Sequence, residues 1–254
     1  MKLQFVSDLH LEFSANSSYL KLNPLEVVGD ILILAGDIDY LQENGNYIHP
    51  FWDWASANYR QVIVVPGNHE LYKGYDINRL TEGTIIPIRE NVSYYYNCVI
   101  SIDNVDIICS TLWAYIEAQH AYITQHRVSD FRSTIADGKN RLSAERFNTE
   151  HQACVQFIQD AVARSKADKI VVATHHVPSK LLSSPDFVGS EINGAFVSEQ
   201  FDFIADSRID YWIYGHSHRN IDAVIGETQC ISNQLGYTAM EDISSFNRAK
   251  CIEL

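Results

Sequence analysis

An α/β fold is what this 254-residue chain predicts. Strand-like apolar runs alternate with stretches of helical spacing, and that interleaving argues for α/β layering. Five of those runs also end in residues of metal-ligand type, a placement typical of α/β crevices beyond strand ends.

The strand-like runs are Leu3–Val6, Ile31–Leu34, Val62–Val65, Val105–Cys109, Ile170–Ala173, Tyr211–Tyr214 and Ile221–Val224. Weaker ones lie near Thr84–Ile88 and Tyr94–Ile102. Gln229–Ser232 pairs with Ile221–Val224 as a hairpin across Gly226, so the sheet is expected to be mixed. Helix-like stretches run over Tyr47–Asn58, Leu142–Ser165 and Val197–Ala205. In the second, Ala153, Phe157, Ala161 and Val162 recur at helical spacing behind Ser143 as the cap. No repeat, low-complexity tract or linker divides the chain, so residues 1–254 read as one domain.

Composition narrows the class. With 46% hydrophobic and 20% charged residues, the chain reads as a globular protein able to fill a core. No run approaches the ~18 apolar residues of a membrane span, and Met1–His10 is too short and too polar for a signal peptide. A cytoplasmic location is the expectation. The net charge of −13 disfavours an extended nucleic-acid surface. Five scattered cysteines (Cys98, Cys109, Cys154, Cys230, Cys251) suit buried thiols better than a disulfide framework or a thiolate zinc site.

Chemistry concentrates after the strands. Leu3–Val6 runs into Ser7-Asp8-Leu9-His10, Ile31–Leu34 into Gly36-Asp37, and Val62–Val65 into Gly67-Asn68-His69-Glu70. Ile170–Ala173 leads to His175-His176, and Tyr211–Tyr214 to Gly215-His216-Ser217-His218. Six of the ten histidines fall in these loops, where random scatter would spread them over the surface. Asp8, His10, Asp37, Asn68, His175, His216 and His218 offer carboxylate, amide and imidazole donors without a thiolate. That set suits Mn²⁺, Fe or Zn²⁺. Seven donors exceed one tetrahedral ion but suit two ions ~3.5–4 Å apart sharing a carboxylate. Gly36, Gly67 and Gly215 are expected to allow tight turns or close backbone approach. Asp8-x-His10 and His216-x-His218, if extended, would each put both side chains on one face.

In order and rough spacing, these five motifs resemble the signature motifs of the calcineurin-like metallophosphoesterase superfamily, small bacterial-type phosphohydrolases included. The resemblance spans residues 8 to 218. It implies a four-layer αββα sandwich with two mixed β-sheets, a dinuclear metal centre and hydrolysis of phosphate esters. Carried over, Asp8, His10 and His218 would hold one ion, and Asn68, His175 and His216 the other. Asp37 would bridge them. His69 would be the catalytic histidine that is not a ligand, unless it only orients one. His176, second of its pair, would not be a ligand. The family often has Asp where this chain has Glu70, which would reach differently to its orienting partner. The implied mechanism is in-line attack of a metal-bridging hydroxide on a phosphomonoester or phosphodiester, with His69 stabilising or protonating the departing group.

Substrate choice is less legible. Residues 113–146 form a polar insertion that could wall the cleft, and Ser129-Asp130-Phe131-Arg132 is similar to a stretch in small bacterial-type members. Arg127 or Arg132 could fork onto a phosphate oxygen, or both could belong to a solvated face. His176 and Glu70 are further candidates for substrate contact. Trp113 and Tyr115 could line the site or pack in the core, and Asn233 to Tyr237 could close over the metals. The expected partner is a small phosphate ester, with no membrane. A nuclease is the alternative, disfavoured by the acidic balance. A non-catalytic scaffold of the same fold would have lost ligands, and all seven positions and His69 are present.

Overall fold

The computed structural model describes residues 1–132 and 134–254. Two six-stranded sheets form its centre. The first runs Cys251–Glu253, Lys2–Val6, Ile31–Ala35, Gln61–Val65, Val92–Tyr96, Thr84–Arg89, with parallel strands inside and an antiparallel strand at each edge. The second runs Ala223–Ile225, Thr228–Ser232, Tyr211–Tyr214, Lys169–Thr174, Val105–Ser110, Cys98–Ile102, built the same way. Both sheets are mixed, as the resemblance implied.

Strand alternation produces the layers. Leu3, Phe5, Ile31, Ile33, Ile63 and Val65 of the first sheet pack against Ile107, Cys109, Val171, Ala173 and Ile213 of the second. Intervening residues turn the other way, because successive side chains leave a strand on opposite faces. Val6, Leu32, Leu34, Val62 and Val64 meet Leu20 and Trp52, from the helices Ser14–Leu22 and Pro50–Asn58. Ile108, Ile170, Val172 and Trp212 meet Phe157, Ile158, Ala161 and Val162 of the helix Ala144–Arg164. The result is the αββα sandwich.

Element boundaries follow local chemistry. The long helix starts where Ser143 Oγ accepts a hydrogen bond from Arg146 N at 3.1 Å. The first expected helix begins only at Pro50, which takes the first-turn position while His49 Nδ1 accepts from Phe51 N at 3.2 Å. The third shrinks to Phe201–Ala205. The weak strand expected over Tyr94–Ile102 is two strands in different sheets, turning at Asn97 with φ 48°. Asn97 tolerates that left-handed conformation, and its Oδ1 accepts from Ser110 Oγ at 2.7 Å. Four cysteines are buried and Cys251 is exposed. Among the described residues, no helix is long and apolar enough to cross a membrane.

Candidate metal centre

All five ligand loops follow the carboxyl ends of parallel strands, three in the first sheet and two in the second. The sheets join at this end: Ser7 pairs with Gln234, and Ser7 N donates to Asn233 O at 3.0 Å. The loops are not extended, contrary to expectation. Asp8, His10, Asp37, His216 and His218 all have positive φ, between 48° and 73°. Left-handed backbone costs about 1–2 kcal/mol per ordinary residue, so the surrounding fold imposes these turns. One consequence is that His216 and His218 do not share a target; they point to different clusters.

The glycines act mainly by making room. A Cβ on Gly67 would lie 2.2 Å from Asp37 Oδ1, and one on Gly215 would lie 2.7 Å from Asp8 Oδ2. Gly36 has both demands, with φ 89° and a hypothetical Cβ 2.2 Å from His175 Nδ1.

Two groups of donors meet at Asp37. In one, His218 Nε2 lies 3.3 Å from Asp8 Oδ1 and 3.2 Å from His10 Nε2. In the other, His175 Nε2 lies 3.0 Å from Asn68 Oδ1 and 3.0 Å from His216 Nδ1. Asp37 Oδ1 faces His175 Nε2 at 3.3 Å, while Oδ2 faces His10 Nε2 at 3.8 Å. Each oxygen of one carboxylate thus serves a different group.

The outer nitrogens fix the tautomers. His10 Nδ1 lies 3.0 Å from Glu12 Oε1 and His218 Nδ1 lies 2.7 Å from Glu241 Oε2. His175 Nδ1 lies 3.0 Å from Ala35 O, and His216 Nε2 lies 3.3 Å from Ala195 O. Carboxylates and carbonyls only accept, so each outer nitrogen carries the hydrogen. The inner nitrogens face each other in twos at 3.0–3.2 Å, and in neutral rings they are bare lone pairs. That contact is repulsive unless a proton or a metal ion sits between them. Metal-binding histidines have this arrangement, and the donor set fits divalent transition ions.

The electrostatics agree. Burial pushes the Asp37 carboxyl up, but the charges of His175 and His69 outweigh it and hold the group well below the usual range. Burial lowers His175, yet Asp37 raises it to about 9. Burial likewise lowers His218, while its hydrogen bonds to Asp8 and Glu241 lift it to about 10. The cluster draws in positive charge.

Residues 1–220 match the profile of the family described as calcineurin-like phosphoesterase. The chain belongs to that family. An uncharacterised protein of Acanthamoeba polyphaga mimivirus is 26% identical, over 99% of this chain and 96% of its own. The phosphopantetheinyl hydrolase of Mycobacterium tuberculosis has a similar fold, with TM-score 0.60 and 19% identity. That likeness covers 94% of this chain and 90% of the other. Metallophosphoesterases are metal-dependent phosphoester hydrolases, and the His and Asp groups here could hold such ions.

Around this phosphoesterase centre, the remaining candidates divide. His69 lies beside it, with Nδ1 3.0 Å from Glu12 Oε1 and Nε2 4.0 Å from Asp37 Oδ2. A cavity of about 320 Å³ opens over the cluster, with Arg127, Phe187, Ile192, Phe196 and Tyr237 in its walls. The insertion does reach it, through Arg127 to Asp130, whereas Arg132 is exposed and outside the lining. The expectation that His176 and Glu70 touch substrate is corrected. His176 is fully buried against Trp113 and Phe147, and burial holds its imidazole well below the ordinary value. Glu70 is fully buried too, accepting hydrogen bonds from Asp37 N, Ile38 N and Gly67 N at 2.8–2.9 Å. It ties two ligand loops together from behind. Trp113 is core, and Tyr115 is exposed.

Sequence reasoning missed the supporting carboxylates. Glu12, Glu241 and Asp130 touch ligand side chains; Asp130 Oδ1 accepts from Asn68 Nδ2 at 3.0 Å and from Tyr72 Oη at 2.7 Å. Glu12 carried a signal, since it follows His10 by two residues in the same loop. Glu241 carried none.

Proposed function

We propose that the chain hydrolyses a small organic phosphomonoester or phosphodiester at two divalent transition-metal ions. Asp8, His10 and His218 would hold one ion, Asn68, His175 and His216 the other, and Asp37 both. The observation that carries this reading is the pairing of the inner nitrogens of four imidazoles on either side of one carboxylate. Two such ions, when bound, supply Lewis-acid clamping of the phosphoryl oxygens and a water acidified toward hydroxide.

The chain's own residues do the rest. Glu12 fixes the His69 ring, so that Nε2 faces the cavity beside Asp37. A group so placed can hydrogen-bond the phosphoryl or departing oxygen, a role typically contributing ~10²–10⁴-fold. Tyr72 stacks on the same ring, with centroids 4.2 Å apart, and resists its rotation. The cavity supports a small substrate. Beyond its histidines, the only cation among the lining residues is Arg127, set against Asp130 and Glu241, while Phe187, Ile192 and Phe196 provide apolar wall. Such a lining favours one phosphate on a largely neutral organic group over a polyphosphate or a nucleic-acid strand.

A screen with Mn²⁺, Fe²⁺ or Zn²⁺ added, covering monoester, diester, nucleotide and phosphoprotein substrates, tests the reading. Turnover of small esters that chelation abolishes is expected. Failure to turn over any ester with any of the three metals would contradict it.

A further inference from the structure

Tyr237 lies outside the five motifs, but the fold brings it to the centre of the site. Its ring packs on His10 and His218, with centroids 4.7 and 4.6 Å apart, and on Phe13 at 5.6 Å. Gly236 N and Leu235 N hydrogen-bond to Asp8 O and Ser7 O, both at 3.1 Å, so the turn is pinned to the first ligand loop. Tyr237 N donates to Glu241 Oε2 at 2.8 Å, the oxygen that also holds His218. Backbone and ring are therefore fixed, and the hydroxyl projects where the cavity is lined.

That hydroxyl lies 3.3 Å from His69 Nε2. His69 Nδ1 carries the hydrogen given to Glu12, and its Nε2 faces the phenolic oxygen, which donates to a neutral ring and accepts from a protonated one. Among the described residues the phenol has no other hydrogen-bond partner, and its hydrogen can take either orientation in the ring plane. It is thus a donor held over the cluster and able to turn toward an incoming oxygen.

Resting on the hydrolase reading above, we propose that Tyr237 is a catalytic residue that hydrogen-bonds the departing oxygen beside His69. As the P–O bond to the departing group breaks, its electron pair stays on that oxygen. The phenol's O–H dipole stabilises the charge growing there, and solvent supplies the proton the product finally carries. Removing one preorganised donor of this kind typically costs ~10²–10³-fold in rate. Its value rises with the charge that the departing oxygen must bear, so a poor leaving group depends on it more than a good one.

The test is Tyr237→Phe, which keeps the ring over His10 and His218 and deletes only the hydroxyl. With Mn²⁺ added, kcat and KM are compared for ethyl and 4-nitrophenyl phosphate, each as the monoester and as the methyl diester, with metal content measured alongside. The expected result is unchanged metal content, kcat for the ethyl esters reduced ~10²-fold, and kcat for the nitrophenyl esters reduced less than tenfold. His69→Ala combined with Tyr237→Phe should cost less than the product of the two single effects, because the groups serve one oxygen. An equal loss on both leaving groups, or no loss on either, would overturn the assignment and leave the hydrolase reading standing. A native chain inactive on every ester would remove both.

Discussion

The two halves of the cluster use the same donor types but are anchored differently. His10 and His218 lean on carboxylates, Glu12 and Glu241. His175 and His216 lean on backbone carbonyls, Ala35 O and Ala195 O. A carboxylate behind an imidazole adds negative charge to the site, whereas a carbonyl fixes the ring without adding charge. Exposure does not separate them, since Asp8, His10 and His175 are fully buried and Asn68, His216 and His218 all reach the cavity wall. The Asp8 side is thus the more charged, with Glu12 and Glu241 behind its two imidazoles. With ions bound, the first side should respond more to loss of its supports.

Asp37 belongs to both halves, and its removal should erase the difference. Asp37→Ala is expected to lose both ions and at least ~10³-fold in turnover, since several kcal/mol of clamping vanish together; elemental analysis and steady-state rates check this, and retention of one ion would show that the halves are independent. His69→Ala comes next, with both ions kept and turnover down by ~10²–10³-fold. Metal lost in that variant would make His69 a ligand. Glu241→Gln should weaken one ion by ~10–100-fold and leave the other in place, read as a single weakened step in a metal titration. The smallest effect is expected of Asp130→Asn, under ~10-fold. Asn68 needs only an acceptor there, and an amide oxygen can still serve. A larger effect than that of Glu241→Gln would reverse the contrast between the halves.

Much of this was legible in the sequence because the ligands follow strands. Continuous apolar runs such as Ile31–Ala35 are buried on both faces and announce themselves, and the polar residues after them are conspicuous. The helix Ser14–Leu22 went unread because only Asn16 and Leu20 are buried along it and Phe13 offers no capping side chain. The edge strand Cys251–Glu253 is too short to carry a pattern. The switch of sheets at Asn97 depends on one left-handed residue inside a continuous β-prone stretch. In the site, the donors were readable and their supports were not. Glu241 reaches His218 across 23 residues and Asp130 reaches Asn68 across 62, distances over which no local spacing operates. Glu70 was misjudged for a related reason: it sits inside a motif, but its side chain turns inward to backbone amides that a sequence does not display.

The central claim is that these remote side chains surround two cations sharing Asp37. Anomalous diffraction from crystals grown with Mn²⁺ addresses it directly. The account predicts two anomalous peaks ~3.5–4 Å apart, one among Asp8, His10 and His218 and the other among Asn68, His175 and His216, with Asp37 touching both. A map with no peak among these residues, or with its peaks elsewhere on the chain, would contradict it.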